Sequence, residues 1–556
     1  MSIQADVTVA DYLLIRLKQM GIDHIFGVPG DFVLGFLNEV LASEVAYVGT
    51  CNELNAAYAA DGYARLKGAG AFVTTYAVGE LSALNGVAGA FAERVPVVAI
   101  TGAPSTAYFK TRALLHHTLG DYRIPSRMYA PITAASAILD DPKSAPGEID
   151  RVLGVCLAEQ RPVYLAIPAD VVRMRCAAPG PFQQPPLPKS DEGTLREALD
   201  EAAAMLSAVG QPVVIGDVEL IRYGLQDEFA GFLARTGLPY ATMMLGKTVL
   251  DESHPQFIGL YQGDRSRDYV RERIQDADCV LELGALPTDF NTGGFTAKLA
   301  EDRTISANYR SVRIKRHIYP DVALGEFIVG LGDRLRKWDA STLNIKPATE
   351  GCTHRRTVSF VPEPDRLLTI RRFFDRVGHF LPSGAVVIAE TGVALFSAAE
   401  TLMPPGAKFI GQAFYGSIGY TVGATLGASL AAPDRKVVLF VGDGSFQVTC
   451  QDLSTLIRHG QKPIVFLLNN DGYTIERVIV DRPYNDIQPW KYHRLVDVFG
   501  GGLAFDVHTE RQLEEALAKA NNADELVFIE IHTERFDCSE SLRRAGEAMA
   551  RTNRLE

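Results

Sequence analysis

Two stretches, KVVLFVGDGS (436–445) and KPIVFLLNN (462–470), decide how this chain folds. Each is a short, β-branched apolar run ended by glycine or asparagine, the pattern of a strand buried on both faces of a parallel sheet. The segment between them, from Phe446 to about His459, has the length of a crossover helix. Two adjacent parallel strands therefore deliver Asp443 and Asn470, 27 positions apart, to one carboxyl-end crevice, where open α/β sheets bind ligands. One carboxylate, one amide oxygen and nearby backbone carbonyls suit Mg²⁺ that also binds substrate phosphates. Gly442 and Gly444 let a phosphate approach the backbone, and a helix opening near Ser445 offers free N–H groups and a positive dipole end. Taken alone, a strand–GDG–helix turn is structural about as often as it is a phosphate site.

The second element, NNDGYT (469–474), shifts that balance. VGDGSFQVT (441–449), LLNNDGYTIE (467–476) and PYNDIQPW (483–490) resemble the non-oxidative, thiamine-diphosphate-dependent 2-oxo acid decarboxylases, the pyruvate, indolepyruvate and branched-chain decarboxylase group. The resemblance implies thiamine diphosphate and Mg²⁺ as cofactors, with Asp443, Asn470 and Gly472 around the metal. It places Gly442, Gly444 and Ser445 at the diphosphate, and Tyr473, Thr474 and Ile475 just beyond the metal loop. It adds Thr391, Gly416 and Ile418 along the cofactor. Ile418, in YGSIGY (415–420), fits the bulky residue that bends the cofactor, and equally fits ordinary core packing.

Composition is that of an ordinary soluble globular protein. The 556 residues exceed one core and suggest three domains. Hydrophobic residues make up 47% and charged residues 22%, and the net charge of −12 disfavours nucleic-acid or anionic-membrane partners. No apolar run approaches membrane-spanning length. The seven cysteines are scattered and never in CxxC spacing, as reduced thiols of a cytoplasmic protein are.

Strand-like and helix-like segments alternate in three blocks, so the expected fold is α/β with three doubly wound parallel-sheet domains. The expected domains are 1–185 (pyrimidine-binding), 192–340 (central) and 363–556 (diphosphate-binding), separated by the Pro-rich segment 177–188 and the polar segment 339–362. The first block is read as helix 10–20, a strand from His24, helix 53–66, strand 71–76, helix 81–92 and strand 95–101; the second opens with helix 194–208 and strand 212–216. Segments 56–84 and 421–448 share one order of small-residue helix, strand, glycine turn and helix, which suggests a distant internal repeat. The central block lacks a GxGxxG fingerprint, which argues against nicotinamide binding there. The resemblance further implies that the first domain of one subunit meets the third domain of another, so that a homodimer is the smallest active unit and homotetramers are usual.

Catalytic candidates follow from the same resemblance. Glu53, in CNELNAAYAADGYAR (51–65), reads on its own as a first-turn helix carboxylate. In the thiamine enzymes the Glu of this motif lies against the aminopyrimidine ring, and Thr75 is expected among the cofactor-binding residues. Adjacent histidines such as His116 and His117 are ordinarily surface accidents, but with Asp31 in VPGDF (28–32) they match the family's GD…HH pattern. Histidine suits proton transfer near neutral pH. Glu476 follows the NN element by six residues and reads either as a first-turn carboxylate or, by resemblance, as the acid over the reacting carbon. The implied reaction turns a 2-oxo acid into an aldehyde and CO₂ through a thiamine-bound enamine. Pocket walls are expected from Leu395, Ile475, Ile479 and Phe290, with Leu542, Ala545 and Met549 of a closing C-terminal helix (537–552) offering no large aromatic. That set suits branched-chain or aromatic 2-oxo acids; the alternatives are a pyruvate decarboxylase proper, a carboligase or acyloin synthase, and a non-catalytic cofactor-binding paralogue. Asp452 and the YAVGE segment (76–80) depart from the usual family pattern without touching a catalytic candidate.

Overall fold

The computed structural model describes residues 6–111, 113–186, 188–335 and 360–552. The second expected linker, 339–362, lies mostly outside the described residues. Three parallel-sheet α/β domains follow one another, as expected. The first sheet is six parallel strands, ordered Ala46–Gly49, His24–Gly27, Gly70–Thr74, Val97–Ala103, Val163–Pro168 and Ser136–Ile138. The third is also six parallel strands, ordered Lys408–Ile410, Val386–Ala389, Val437–Gly442, Ile464–Asn469, Val527–His532 and Leu503–Val507. Numbered within its own domain, each sheet runs 2-1-3-4-6-5. The repeat suggested by the small-residue helices is thus matched by identical topology.

The central sheet differs. Its parallel part is ordered Phe257–Leu260, Tyr240–Thr242, Pro212–Gly216, Cys279–Leu283 and Thr304–Asn308, and two antiparallel strands, Ser311–Ile314 and His317–Pro320, extend one edge. A two-stranded antiparallel sheet, Asp6–Thr8 with Arg175–Ala177, ties together the two ends of the first domain.

First and third domains meet along the helices Glu53–Lys67 and Tyr420–Ala431. Residues 55–64 and almost every residue of 420–431 are buried, so both helices are covered on all sides. Small side chains make that possible. A Cβ placed on Gly427 would stand 1.8 Å from the carbonyl oxygen of Ala59, so the backbones touch where any side chain would part them. Inside this seam Arg65 bridges Asp61 at 2.6 Å and Glu93 at 2.7 Å, and the Tyr420 hydroxyl donates to Asp61 at 2.5 Å.

One expected element is built differently. The crossover after GDG begins at Asp443, not near Phe446, and is split into helix Asp443–Thr449, a 3₁₀ turn Cys450–Asp452 and helix Leu453–Arg458. The break lies where Asp452 turns to the first domain, accepting from the Cys51 N–H at 2.9 Å and from the Thr455 hydroxyl at 2.5 Å. A 3₁₀ turn between helical pieces accommodates such a change of direction. Cys51, Cys156, Cys176, Cys279, Cys450 and Cys538 are free thiols. Among the described residues no helix is long and apolar enough to cross a membrane.

Candidate active site

Strands Val437–Gly442 and Ile464–Asn469 pair in parallel, with Gly442 opposite Leu468, so Asp443 and Asn470 leave the sheet at the same carboxyl edge. There they line one open cavity with Gly442, Gly444, Ser445, Gly472, Tyr473 and Thr474; Thr391, Ile418, Ile475 and Glu476 complete the same wall. Asp443 is almost fully buried. Its Oδ1 accepts from the Gly444 N–H at 2.7 Å, and its Oδ2 from the N–H groups of Asn470 at 3.2 Å and Gly472 at 3.0 Å. Burial pushes its carboxyl up to about 7, against the pull of those three donors.

The Asn470 amide decides what this pocket can hold. One arm lies 3.3 Å from Asp443 Oδ1 and 3.0 Å from the Gly472 carbonyl, and the other lies 3.0 Å from the Thr474 hydroxyl. With nitrogen in the first arm, the amide donates to both oxygens. With oxygen there, three oxygens converge with no proton between them, the donor set of a hard cation. Gly472 adopts φ +125°, a conformation that L side chains rarely adopt, and this turns its carbonyl inward. The residues present fit Mg²⁺.

Arg477 and Glu390 hold this frame, and neither was singled out in the sequence. Arg477 is buried and donates through Nη1 to the Asn470 carbonyl at 3.1 Å, through Nη2 to the Asp471 carbonyl, and to Asp486 Oδ1 at 2.9 Å. Glu390, at the end of strand Val386–Ala389, accepts from the N–H of Thr391 at 3.0 Å and from the Thr421 hydroxyl at 2.7 Å. Complete burial raises its carboxyl to about 7. The signal for Arg477 was its place beside Glu476 in the quoted motif; for Glu390 it was a carboxylate directly before the strand-end Thr391.

A second group gathers in the first domain. His116 Nε2 lies 2.6 Å from Asp31 Oδ2, and His117 Nε2 lies 4.0 Å from Asp31 Oδ1. Phe32 stacks on His116 with ring centres 4.8 Å apart. The histidines sit on no helix, and φ +67° at His117 turns both rings toward one carboxylate. Glu53 opens helix Glu53–Lys67, and its Oε1 lies 3.1 Å from where a Cβ on Gly79 would stand; Thr75 lies against the same glycine and against Gly30. Burial raises the Glu53 carboxyl, and the hydroxyl of buried Thr75 has no partner. None of these residues lines the cavity around Asp443.

The remaining candidates are placed as follows. Gly416 bends the 412–419 loop at φ +66°, donating its N–H to the Gln412 carbonyl. Leu395 is fully buried, its side chain against Gly411, and does not line the cavity. Phe290 packs on Phe396 with ring centres 5.8 Å apart, and Ile479 closes the helix Thr474–Ile479; both stand outside the cavity lining. The C-terminal helix spans Glu540–Thr552, with Leu542 and Ala545 turned into the core.

Comparison with known proteins fits this geometry. Family profiles match in order: thiamine pyrophosphate enzyme, N-terminal TPP binding domain over residues 7–122, central domain over 199–328, and C-terminal TPP binding domain over 391–531. Fold and profiles together define a thiamine pyrophosphate enzyme. The chain is 37% identical over 567 residues to the pyruvate decarboxylase of Aspergillus fumigatus, covering 99% of this chain and 98% of that one. It is 40% identical over 536 residues to the alpha-keto-acid decarboxylase of Mycobacterium avium (94% and 93% covered), and 36% identical over 573 residues to pyruvate decarboxylase isozyme 1 of Saccharomyces cerevisiae (99% of each). The chain belongs to the thiamine-pyrophosphate-dependent 2-oxo acid decarboxylases.

Proposed function

We propose that this enzyme releases CO₂ from a branched-chain or aromatic 2-oxo acid and returns the aldehyde, with Mg²⁺ anchoring the cofactor. The observation that carries the metal assignment is the convergence of Asp443, Asn470 and the Gly472 carbonyl in one buried corner of the cavity. When bound, thiamine diphosphate supplies the carbon nucleophile and then accepts the electrons freed with CO₂. Asp443, ionised by the adjacent cation, Asn470 and Gly472 hold the metal, and Gly444 and Ser445 line the diphosphate. Glu53, whose burial favours its protonated form, presents a proton to the aminopyrimidine ring. Glu476 and the Asp31–His116–His117 group manage the proton that reaches the product carbon.

Val393, Ile418 and Ile475 give the cavity an apolar wall, and neither tryptophan nor phenylalanine is among its lining residues, which supports room for a larger side chain. The test is aldehyde formation by the Mg²⁺- and thiamine-diphosphate-loaded protein from pyruvate, 2-oxoisovalerate, phenylpyruvate and indolepyruvate. Preference for the larger acids supports the proposal, and preference for pyruvate defeats the pocket assignment. A hydroxyketone in place of aldehyde makes the protein a synthase.

We further propose that a homodimer, or a tetramer built from it, working in the cytoplasm, is the active form. The Glu53 group does not line the Asp443 cavity of its own chain, which supports a second copy bringing that group to it. Apolar side chains exposed near both groups, Val78 (50%), Leu114 (83%), Phe414 (40%) and Ile418 (36%), support a covered face. Mixing Glu53→Gln chains with Asp443→Ala chains tests this. Sites shared between copies regain activity in the mixed dimer, because one of its two sites then carries no substitution. Sites built within one chain regain none.

A further inference from the structure

A separate cavity lies on the seam between the central and third domains, lined on one side by Gln262, Arg265, Ser266 and Arg267 and on the other by the end of helix Val393–Glu400 and Thr401. About 50 Å³ is open there to the centres of water-sized particles. Each water needs roughly 10–15 Å³ on that measure, so the space holds a few waters or one compact ion.

Its polar lining is unbalanced. Lys247 is neutralised, bridging Glu252 at 2.7 Å and donating to the Thr401 carbonyl at 3.0 Å, and Arg267 donates to the Glu400 carbonyl at 2.9 Å. Arg265 is only 6% exposed, yet neither its Nε nor its Nη1 has an acceptor. Gln262, 2% exposed, likewise leaves Nε2 without one. Asp289 carries the nearby opposite charge, and among the described residues it makes no hydrogen bond to Arg265; its Oδ1 accepts from the Phe290 N–H instead.

A buried guanidinium stays charged, and an uncompensated buried charge is costly. Native proteins supply such a group with a counter-ion or hydrogen-bond acceptors. Both unpartnered groups are donors, and both residues line the same cavity. We propose that this cavity binds a compact oxyanion, a small carboxylate or inorganic phosphate, held by Arg265 and Gln262 between the two domains. Arginine's planar fork of donors matches either ligand. The site is distinct from the cavity around Asp443 and is joined to it by helix Val393–Glu400, which starts beside Thr391 and ends in this lining.

The test uses the protein loaded with thiamine diphosphate and Mg²⁺, titrated separately with sodium acetate and sodium phosphate at constant ionic strength. Calorimetry and thermal melting are read together. Saturable binding of one anion per chain, with the melting temperature raised by about 2 °C, is expected from ligand linkage. Arg265→Met should weaken that binding at least tenfold while melting no lower than wild type in anion-free buffer, since it removes an unpaired buried charge. Gln262→Leu should weaken binding about threefold, and it keeps the test open where the Arg265 variant fails to fold. Response to acetate alone identifies a carboxylate ligand, and response to phosphate alone identifies phosphate. No saturable response to either anion, or a response unchanged in both variants, overturns the site.

Discussion

Arg477 donates through Nη1 to the backbone carbonyl of Asn470 at 3.1 Å, and with its other contacts it clamps residues 470–471 to the loop carrying Asn485 and Asp486. The metal corner therefore depends on a cation that touches none of its three oxygens. Removing such supporting groups ordinarily costs 10–100-fold in metal affinity. Arg477→Met should raise the Mg²⁺ concentration for half-maximal activity by roughly that factor, with much of the turnover restored at saturating Mg²⁺. An unchanged Mg²⁺ requirement would assign Arg477 to loop packing alone.

Asp443→Ala removes the carboxylate at the centre of the corner. Cofactor retained through gel filtration in the presence of Mg²⁺ should fall to near zero, while the circular dichroism spectrum stays that of the wild type. Full retention would defeat the metal assignment.

Glu53→Gln keeps the size of the side chain and a hydrogen-bonding head but loses the carboxyl proton. Turnover should drop at least about 100-fold, in the range of lost acid–base catalysis. The melting temperature should stay within about 2 °C, because the carboxyl makes no ion pair to lose. Wild-type activity would sink the cofactor-activation role.

Glu80 gives a pH prediction. It is buried, its Oε1 accepts from the Ala77 N–H and its Oε2 from the Tyr164 hydroxyl, both at 2.7 Å, and burial raises its carboxyl to about 7. A folded-state value above the unfolded one means that stability is fully present below about pH 4.5 and is lost as pH rises through about 7. Glu80→Gln can keep both contacts, with the Tyr164 hydroxyl now accepting, and does not titrate. Relative to that variant, the wild type should lose up to about 3 kcal/mol between pH 4.5 and 8. Parallel melting curves across that range would show the carboxyl to titrate in the fold as it does in the unfolded chain.

Gly427→Val places a branched side chain where the Ala59 carbonyl already stands 1.8 Å from the ideal Cβ. Overpacking costs about 1–3 kcal/mol where neighbours can yield, and more where the neighbour is backbone. The variant should melt several degrees lower and expose the seam between the first and third domains to proteolysis. A wild-type melting curve would show that the helices dock with slack.

Much of this was legible from local pattern. Apolar runs ending in GDG and NN gave two parallel strands, and the 27-residue spacing gave their shared edge, because a strand's periodicity and a crossover's length are local properties. The shared order of small-residue helix, strand and glycine turn in 56–84 and 421–448 suggested the repeat, which the two identical sheet topologies match. Less legible were positions whose meaning depends on which way a side chain turns. Leu395 read as a pocket wall; it is buried, with its side chain against Gly411, a placement that only the packing decides. Ile479 shares the six-residue helix Thr474–Ile479 with Ile475, and of the two only Ile475 lines the cavity around Asp443.

The sequence by itself determined the domain class, the shared edge of the two strand ends that carry Asp443 and Asn470, and the family. The tertiary structure alone decided which groups stand together. Arg477 clamps the Asn470 loop, Asp452 breaks the crossover helix to reach Cys51, and Arg265 is buried without an acceptor, each through partners distant in the chain or hidden by packing. Charge and hydrogen-bonding capacity are written in the residue, but desolvation and partnership arise only when remote segments exclude water together.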